Sequence, residues 1–174
     1  GLIKNVERSN SPQIPYYGAD FVRNPDGSSI VYFRSAFEVW IKPASVNGIQ
    51  YLLTRDTVKT HGTFFGYSIQ NGKFVYEFTK GISPFVDYKL VSDSNIQPNV
   101  WTHLAASYYD SAMHIFVNGK LAGKLQTADR FLNPFYYDAP GSFVSIFPDF
   151  SLAGLGSQFG YKGEMDEGNY EQHC

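Results

Sequence analysis

The sequence predicts an all-β protein built as a two-sheet antiparallel β-sandwich. Two Asn-Gly dipeptides, Asn71-Gly72 and Asn118-Gly119, each separate strand-like segments, and this dipeptide tolerates the positive φ angles of a type I′ hairpin turn. Aromatic residues make up 17% of the chain, as is typical of strand-rich domains. Turn-forming residues recur about every 8–12 positions, which favours a sandwich, and no window shows sustained helical periodicity.

The predicted strands cover most of the chain. Thr102–Tyr109 forms a strand, Tyr109-Asp110-Ser111 a turn, and Met113–Val117 with Lys120–Leu125 a hairpin, so this stretch predicts a three-stranded meander. The other predicted strands, in order, are Ala19–Arg23, Ser29–Phe33, Ala36–Lys42, Gln50–Arg55, Gly66–Gln70, Lys73–Phe78, Phe85–Val91, Ser142–Phe147 and Tyr161–Tyr170.

Composition narrows the class of partner. The 174 residues suit one domain with a sizeable core. A formal net charge of -2 provides no basic field, so nucleic acid and anionic membrane surfaces are not expected partners. No segment reaches the roughly 20 apolar residues of a membrane helix, and we therefore expect no membrane insertion. The single cysteine, Cys174, cannot form an internal disulfide, and we expect its partner further along a longer protein.

Six successive segments carry a likeness to a known family: Phe37–Pro43, Leu52–Arg55, Tyr67–Lys73, Trp101–Tyr108, Ile115–Lys120 and Gly163–Glu167. Their succession resembles the concanavalin A-like lectin/glucanase superfamily, and within it the laminin G-like and pentraxin-like group. The resemblance covers about Ala19 to Glu167. It implies a single jelly-roll domain over residues 1–174, taken from a longer extracellular or cell-surface protein.

Two tryptophans and one histidine fall inside these shared segments. Trp40 and Trp101 occur within strand patterns, where tryptophan is more often a core anchor than a sugar platform, and we interpret both as core residues. His103 is interpreted as a packed or hydrogen-bonded side chain. No His or Cys spacing suggests a zinc site.

The carboxylate tract Glu164-Met165-Asp166-Glu167 is the candidate for catalysis. Some glucanases of the superfamily use Glu-x-Asp-x-Glu, in which alternation places three carboxylates on one strand face. Gly168 stands where the third carboxylate would be, and Glu167 falls on the opposite face from Glu164 and Asp166. The acid and nucleophile pair is incomplete, so we predict no catalytic residues and no enzyme activity.

The same tract suggests a structural calcium ion. By resemblance to laminin G-like domains, Asp166 would bind calcium together with backbone carbonyls near Asp26-Gly27 or Asn47-Gly48. Calcium requires six to eight oxygen ligands, so waters would complete the site. The alternative is that Asp166 pairs with a backbone amide or a basic side chain.

Aromatic doublets suggest binding surfaces, because neighbouring strand residues point to opposite faces and only one can enter the core. Some rings of Tyr16-Tyr17, Tyr108-Tyr109 and the other doublets must therefore face solvent or a partner. The predicted ligand-binding residues are Phe135, Tyr136, Tyr137 and Asp138, in what is predicted to be a long loop, and Phe64 and Phe65. Such groups suit sugars and protein partners alike. Alternatively, the loop folds its own rings onto the sheet.

These observations favour a non-catalytic recognition or adhesion module that binds a glycan or a protein ligand. Two alternatives are a glycan-cleaving enzyme of the same fold and a purely structural domain of a larger surface protein. Fold alone does not decide among them.

Overall fold

The computed structural model describes the chain in ranges separated by gaps. These ranges are 3–4, 13–14, 20–23, 29–32, 35–55, 65–80, 86–109, 111–127, 138–139, 142–143, 150–152 and 161–171. They contain strands joined by tight turns and no helix, so this part of the chain has no helix long and apolar enough to cross a membrane.

The described residues form strands in the following order: β1 (Ile3–Lys4), β2 (Gln13–Ile14), β3 (Asp20–Arg23), β4 (Ser29–Tyr32), β5 (Ser35–Pro43), β6 (Ile49–Arg55), β7 (Phe65–Gln70), β8 (Lys73–Lys80), β9 (Val86–Asn95), β10 (Thr102–Tyr109), β11 (Ala112–Val117), β12 (Lys120–Gln126), β13 (Asp138–Ala139), β14 (Ser142–Phe143), β15 (Phe150–Leu152) and β16 (Gly163–Glu171).

Two six-stranded antiparallel sheets make the sandwich. Sheet I has the strand order β1-β16-β5-β10-β11-β12, and sheet II has the order β2-β15-β6-β7-β8-β9. Strands β3 and β4 form a separate hairpin, as do β13 and β14. The predicted two-sheet jelly-roll class is confirmed. That residues 1–174 are one domain of a longer protein stays a prediction.

The core lies between the sheets and combines aliphatic side chains with a set of packed aromatic rings. Phe37 of sheet I stacks on Tyr67 of sheet II, with ring centroids 4.4 Å apart and planes at 9°. Phe78 meets Tyr108 edge to face at 5.7 Å. All four side chains are buried. Because such pairs add stability beyond the area that they bury, they hold the two sheets together at a defined position.

The hairpin predictions are confirmed by backbone geometry. Asn71 and Gly72 have φ angles of 49° and 80°, and Asn118 and Gly119 have 51° and 74°. The turn between β10 and β11 is also confirmed, with Ser111 at φ 63°. The meander of β10, β11 and β12 follows from these turns.

Most strand boundaries differ from prediction by one or two residues, the short strands β1, β2, β13 and β15 were not predicted, and two predicted strands differ by more. Strand β9 continues past Val91 to Asn95, where it pairs again with Lys73 after an irregularity in the β8 ladder. The predicted strand Ser142–Phe147 is described only as β14, and its remainder lies outside the described residues.

Candidate functional site

Trp40 and Trp101 lie on the surface, so their interpretation as core anchors is wrong. Trp40 is 40% exposed and Trp101 is 39% exposed. On β5, Phe37, Val39 and Ile41 point into the core, and alternation therefore turns Trp40 outward. The alternating pattern around Trp40 was the sequence signal that could have revealed this placement.

The outward side chains of β5, β10 and β11 form what we call the open face of sheet I. A groove of about 260 Å³ crosses this face. Its lining includes the small residues Ala36, Ala105 and Ser107, together with Glu38 and Phe116. In the sheet register, Ala105 lies opposite Glu38 on one side and opposite Phe116 on the other. The groove therefore has a low floor, one acidic wall and one aromatic wall.

Trp40 stands beside this groove in a row of polar groups. It pairs in the sheet with His103 on β10 and with Asp166 on β16. The His103 ring lies 5.1 Å from the Trp40 ring, between centroids, and its Nε2 is 3.8 Å from Glu38 Oε2. The interpretation of His103 as a packed side chain is thus confirmed. An exposed indole with carboxylate and imidazole groups nearby can contact both the apolar and the hydroxyl-bearing sides of a sugar.

One further histidine lies on the same face. His114 is opposite Ser107 on β10 and Lys124 on β12. Burial lowers its pKa, and the positive charge of Lys124 lowers it further. His114 is therefore neutral at physiological pH, and its ring presents one donor and one acceptor.

The outward residues of β8 in sheet II, unlike those of β5 in sheet I, are buried. Val75, Glu77 and Thr79 alternate with the core residues of β8, yet they are only 1%, 3% and 1% exposed. The Tyr51 hydroxyl donates to Glu77 Oε1 at 3.4 Å, and Gln70 Nε2 donates to the same oxygen at 3.3 Å. We call Tyr51, Gln70, Glu77 and Lys89 the Glu77 cluster.

Lys89 completes the Glu77 cluster. Its Nζ donates to Gln70 Oε1 at 2.7 Å and lies 3.9 Å from Glu77 Oε2. Burial raises the pKa of Tyr51, and the Glu77 carboxylate raises it further, so the phenol keeps its proton. Nothing in the sequence pattern of β8 distinguished Glu77 from an ordinary outward residue.

The carboxylate tract lies on β16 as expected. Met165 is buried in the core, which confirms that Glu164 and Asp166 share the outward face. The register with β5 shifts between Asp166 and Asn169, so an irregularity interrupts the strand at the position of the missing third carboxylate. Glu164 Oε1 lies 3.6 Å from Lys42 Nζ.

Asp166 was also the predicted calcium ligand. Among the described residues, no group of three or more His, Cys, Asp or Glu side chains could hold a metal ion. The Gly48 carbonyl, one of the suggested partners, accepts a hydrogen bond from Asn71 N–H at 2.9 Å, and Asp26-Gly27 lies outside the described residues. Calcium binding at Asp166 stays a prediction.

The predicted ligand-binding residues are only partly described. Phe64, Phe135, Tyr136 and Tyr137 lie outside the described residues. Phe65 begins β7, where it pairs in the sheet with Phe78, and Asp138 lies in the two-residue strand β13 rather than in a continuous loop. Their role in binding stays a prediction. The general argument on doublets is confirmed at one site, since Tyr108 is 1% exposed and Tyr109 is 55% exposed.

Comparison with known families identifies the fold. A laminin G-like family model, described as the concanavalin A-like lectin/glucanases superfamily, matches residues 24–140. The chain belongs to this superfamily. The resemblance found in the sequence is thus confirmed. No curated protein sequence matches the chain.

Solved structures with the superfamily's fold superpose on most of the chain. The CBM40 of a Ruminococcus gnavus sialidase, bound to α2,3-sialyllactose, has a TM-score of 0.61 at 16% identity and covers 95% of this chain and 89% of its own. Domains LG4-5 of the mouse laminin α1 chain have a TM-score of 0.54 at 11% sequence identity, and the match covers 87% of this chain and 38% of the laminin chain. A pentraxin from Limulus polyphemus has a TM-score of 0.50 at 12% sequence identity, and the match covers 91% of this chain and 65% of the pentraxin. At these identities the likeness establishes the fold alone.

Proposed function

We propose that this domain is a non-catalytic glycan-binding module whose ligand binds on the open face of sheet I. The observation that carries the proposal is the groove beside the exposed Trp40 indole, with Glu38 and Phe116 on opposite sides. The sugar ring's C–H face packs on the aromatic groups, while its hydroxyls donate to Glu38. The likeness to a sialidase CBM40 bound to sialyllactose supports a sugar ligand.

Absence of catalysis is part of the proposal. Retaining glycosidases need two carboxyl groups about 5–5.5 Å apart across the sugar. Here Glu164 lies within salt-bridge distance of Lys42, and Gly168 stands where the superfamily glucanases carry a third carboxylate. Hydrolysis of β-glucans that is lost in Glu164→Gln would contradict this part of the proposal and favour the enzyme alternative.

The test of binding is a glycan array followed by calorimetry on the best hits. We expect Trp40→Ala to weaken binding at least about tenfold, the equivalent of 1.4 kcal/mol. Val91→Ala is the matched control, because Val91 is also an exposed apolar strand residue, at 44%, but lies on β9 of sheet II. No glycan binding, or equal losses in both variants, would overturn the assignment. Capture of a protein ligand that depends on Trp40 would instead favour protein recognition.

The wider setting is also proposed. We place the domain in an extracellular or cell-surface protein with other domains, in a recognition or adhesion role. Calcium binding at Asp166 is a separate proposal, because the suggested partners Asp26-Gly27 lie outside the described residues. A shift in melting temperature on adding calcium, lost in Asp166→Asn, would support the ion, whereas an unchanged melting temperature with calcium and with chelator would argue against it.

A further inference from the structure

Three Asn-Gly dipeptides lie in turns of the described structure, at Asn47-Gly48, Asn71-Gly72 and Asn118-Gly119, and all three asparagines are exposed. In such a dipeptide the backbone nitrogen of the glycine can attack the side-chain carbonyl carbon of the asparagine, because glycine has no Cβ to obstruct the approach. The reaction needs an asparagine amide that is free to turn and a glycine N–H that can lose its proton. The hydrogen bonds of the three turns differ in which of these two groups they restrain.

In the two hairpins the restrained group is the asparagine amide. Asn71 Oδ1 accepts a hydrogen bond from Gly48 N–H at 2.9 Å, and Asn118 Oδ1 accepts one from His103 N–H at 2.9 Å. Each asparagine also donates its own backbone N–H to the carbonyl of the same residue, at 2.9 Å for Asn71 and 2.8 Å for Asn118. Two hydrogen bonds thus hold each side chain against a neighbouring segment, and its amide is not free to approach the glycine that follows it.

Asn47 is in the opposite situation. Its backbone N–H donates to Ser45 Oγ at 3.2 Å and its carbonyl accepts from Gln50 Nε2 at 3.4 Å, but no described residue hydrogen-bonds to its side-chain amide. The space beside Gly48 is open, since a Cβ added there would have no heavy atom within 4 Å. The restrained group is the attacking nitrogen, because Gly48 N–H is the donor that Asn71 Oδ1 holds.

We propose that Asn47 is a site of spontaneous deamidation and that the side chain of Asn71 controls its rate. While Gly48 N–H donates to Asn71 Oδ1, its proton is shared with that oxygen and the nitrogen is held in place. Breaking this one hydrogen bond frees the nitrogen to lose its proton and to turn towards the Asn47 amide. Asn71 is therefore a positioning residue for a reaction in the neighbouring turn.

The reaction uses only water and involves no oxidation. A solvent base removes the proton of the Gly48 amide, the nitrogen forms a bond to Asn47 Cγ, and the Cγ–Nδ2 bond breaks as ammonia leaves. Water then opens the cyclic imide in one of two ways. Cleavage between Gly48 N and Cγ gives aspartate, whereas cleavage between Gly48 N and the main-chain carbonyl carbon gives isoaspartate. Both products replace a neutral amide with a carboxylate.

The modification would alter the connection between the two sheets. Asn47 lies in the turn that joins β5 of sheet I to β6 of sheet II. Gln50 fastens this turn, since its Nε2 donates to the Ser45 carbonyl at 2.8 Å and its Oε1 accepts from Lys162 N–H at 3.0 Å. Isoaspartate adds one carbon to the main chain beside these bonds, so we expect protein modified in this way to melt at a lower temperature.

Peptide mass spectrometry of the full chain, incubated at neutral to mildly alkaline pH, measures the conversion of each asparagine. In the wild type we expect Asn47 to convert faster than Asn71 and Asn118. Asn71→Gly removes the acceptor but keeps a residue that tolerates the positive φ of the turn. It should accelerate conversion of Asn47 by about fivefold or more, the factor that corresponds to about 1 kcal/mol. Asn71→Asp keeps an acceptor oxygen and should leave Asn47 as protected as in the wild type.

Asn118→Gly is the matched control, because it also removes an asparagine oxygen from a hairpin turn, but the lost hydrogen bond is the one to His103. It should leave the rate at Asn47 unchanged within about twofold. Equal acceleration in both glycine variants, no conversion of Asn47 in Asn71→Gly, or faster conversion of Asn71 or Asn118 than of Asn47 in the wild type would overturn the proposal.

Hydrogen exchange in the wild type gives a second measurement that depends on no variant. The Gly48 amide should exchange more slowly than the amide of Gly119, which donates to no described residue. A Gly48 amide that exchanges as fast as that of Gly119 would show that Asn71 does not restrain the nucleophile.

Discussion

The two outward faces of the sandwich differ in how far their outward-pointing strand residues are exposed to solvent. On β5 in sheet I, the outward residues Glu38 and Trp40 are exposed, and a groove lies beside them. On β8 in sheet II, the outward residues Glu77 and Thr79 are buried at 3% and 1%. The same two-residue period thus produces a surface in one sheet and a second polar interior in the other.

This difference indicates that the outward residues of sheet II contribute to stability, whereas those of sheet I are available for recognition. A buried carboxylate is tolerated only when other groups hydrogen-bond to it, and Tyr51, Gln70 and Lys89 surround Glu77. The Trp40 indole, by contrast, is 40% exposed, so part of its apolar surface is open to a ligand. Large exposed aromatic groups beside a groove are typical of binding surfaces. We therefore expect changes in sheet II to affect unfolding and changes on the open face of sheet I to affect binding.

The largest expected effect is at Glu77. Glu77→Ala should lower the free energy of unfolding by about 2–4 kcal/mol, because Tyr51 and Gln70 lose a buried acceptor. The matched variant, Glu38→Ala on the exposed face, should cost less than about 1 kcal/mol. Urea denaturation measures both. Equal losses would contradict the distinction between the two faces.

The next effect is at Tyr51. Tyr51→Phe removes the hydroxyl that donates to Glu77 and should cost about 1 kcal/mol near neutral pH. Burial, and then the Glu77 charge, raise the pKa of Tyr51 above the ordinary value of 10.0. The folded state therefore keeps a proton that the unfolded state loses, so this stabilisation is present below pH 10 and declines above it.

Denaturation measured near neutral pH and above pH 10 tests whether the free energy of unfolding falls as the pH rises. The alkaline loss of stability should be smaller in Tyr51→Phe than in the wild type. A variant as sensitive to alkali as the wild type would show that Tyr51 is not responsible.

A smaller effect is expected for the ion pair between Lys42 of β5 and Glu164 of β16. The Lys42 and Glu164 side chains are 34% and 35% exposed. A double-mutant cycle with Lys42→Met and Glu164→Gln should give a coupling energy of about 0.2–1 kcal/mol. This coupling should decline in high salt. A coupling of several kcal/mol that salt leaves unchanged would mean that this pair is less accessible to solvent than its exposure indicates.

The smallest expected effect concerns His114. Burial and the charge of Lys124 lower its pKa, so the unfolded state binds a proton at a higher pH than the folded state does. Stability should therefore fall slightly as the pH drops below about 6.5. His114→Gln should reduce this fall, as measured by thermal melting between neutral pH and about pH 5. An unchanged pH profile would contradict the assignment.

The sequence alone predicted the local structure well. Asn-Gly at two hairpins and the turn at Ser111 depend on φ preference, which the turn residues themselves determine. The placement of Glu164 and Asp166 on one face followed from the two-residue period of a strand and is confirmed by the burial of Met165. The aromatic loop at Phe135–Tyr137 stays a prediction.

Tertiary structure decided which residues form the candidate site. Strand β5 lies between β10 and β16 in sheet I. His103 and Asp166 follow Trp40 by more than 60 residues in the sequence, so the three side chains meet only after long-range strand pairing. The interpretation of Trp40 as a core residue failed because hydrophobicity alone does not say which face of a strand meets the other sheet. Glu77 is the converse case, since its outward position gave no sign that it would be buried.

The sequence by itself therefore determined the turns, the strand period and the superfamily, because these depend on backbone preferences and local order. Only the packing of the two sheets decided which outward residues are accessible, because burial depends on every segment that comes to lie against a residue. That packing places the exposed groove beside Trp40 and encloses the charge of Glu77.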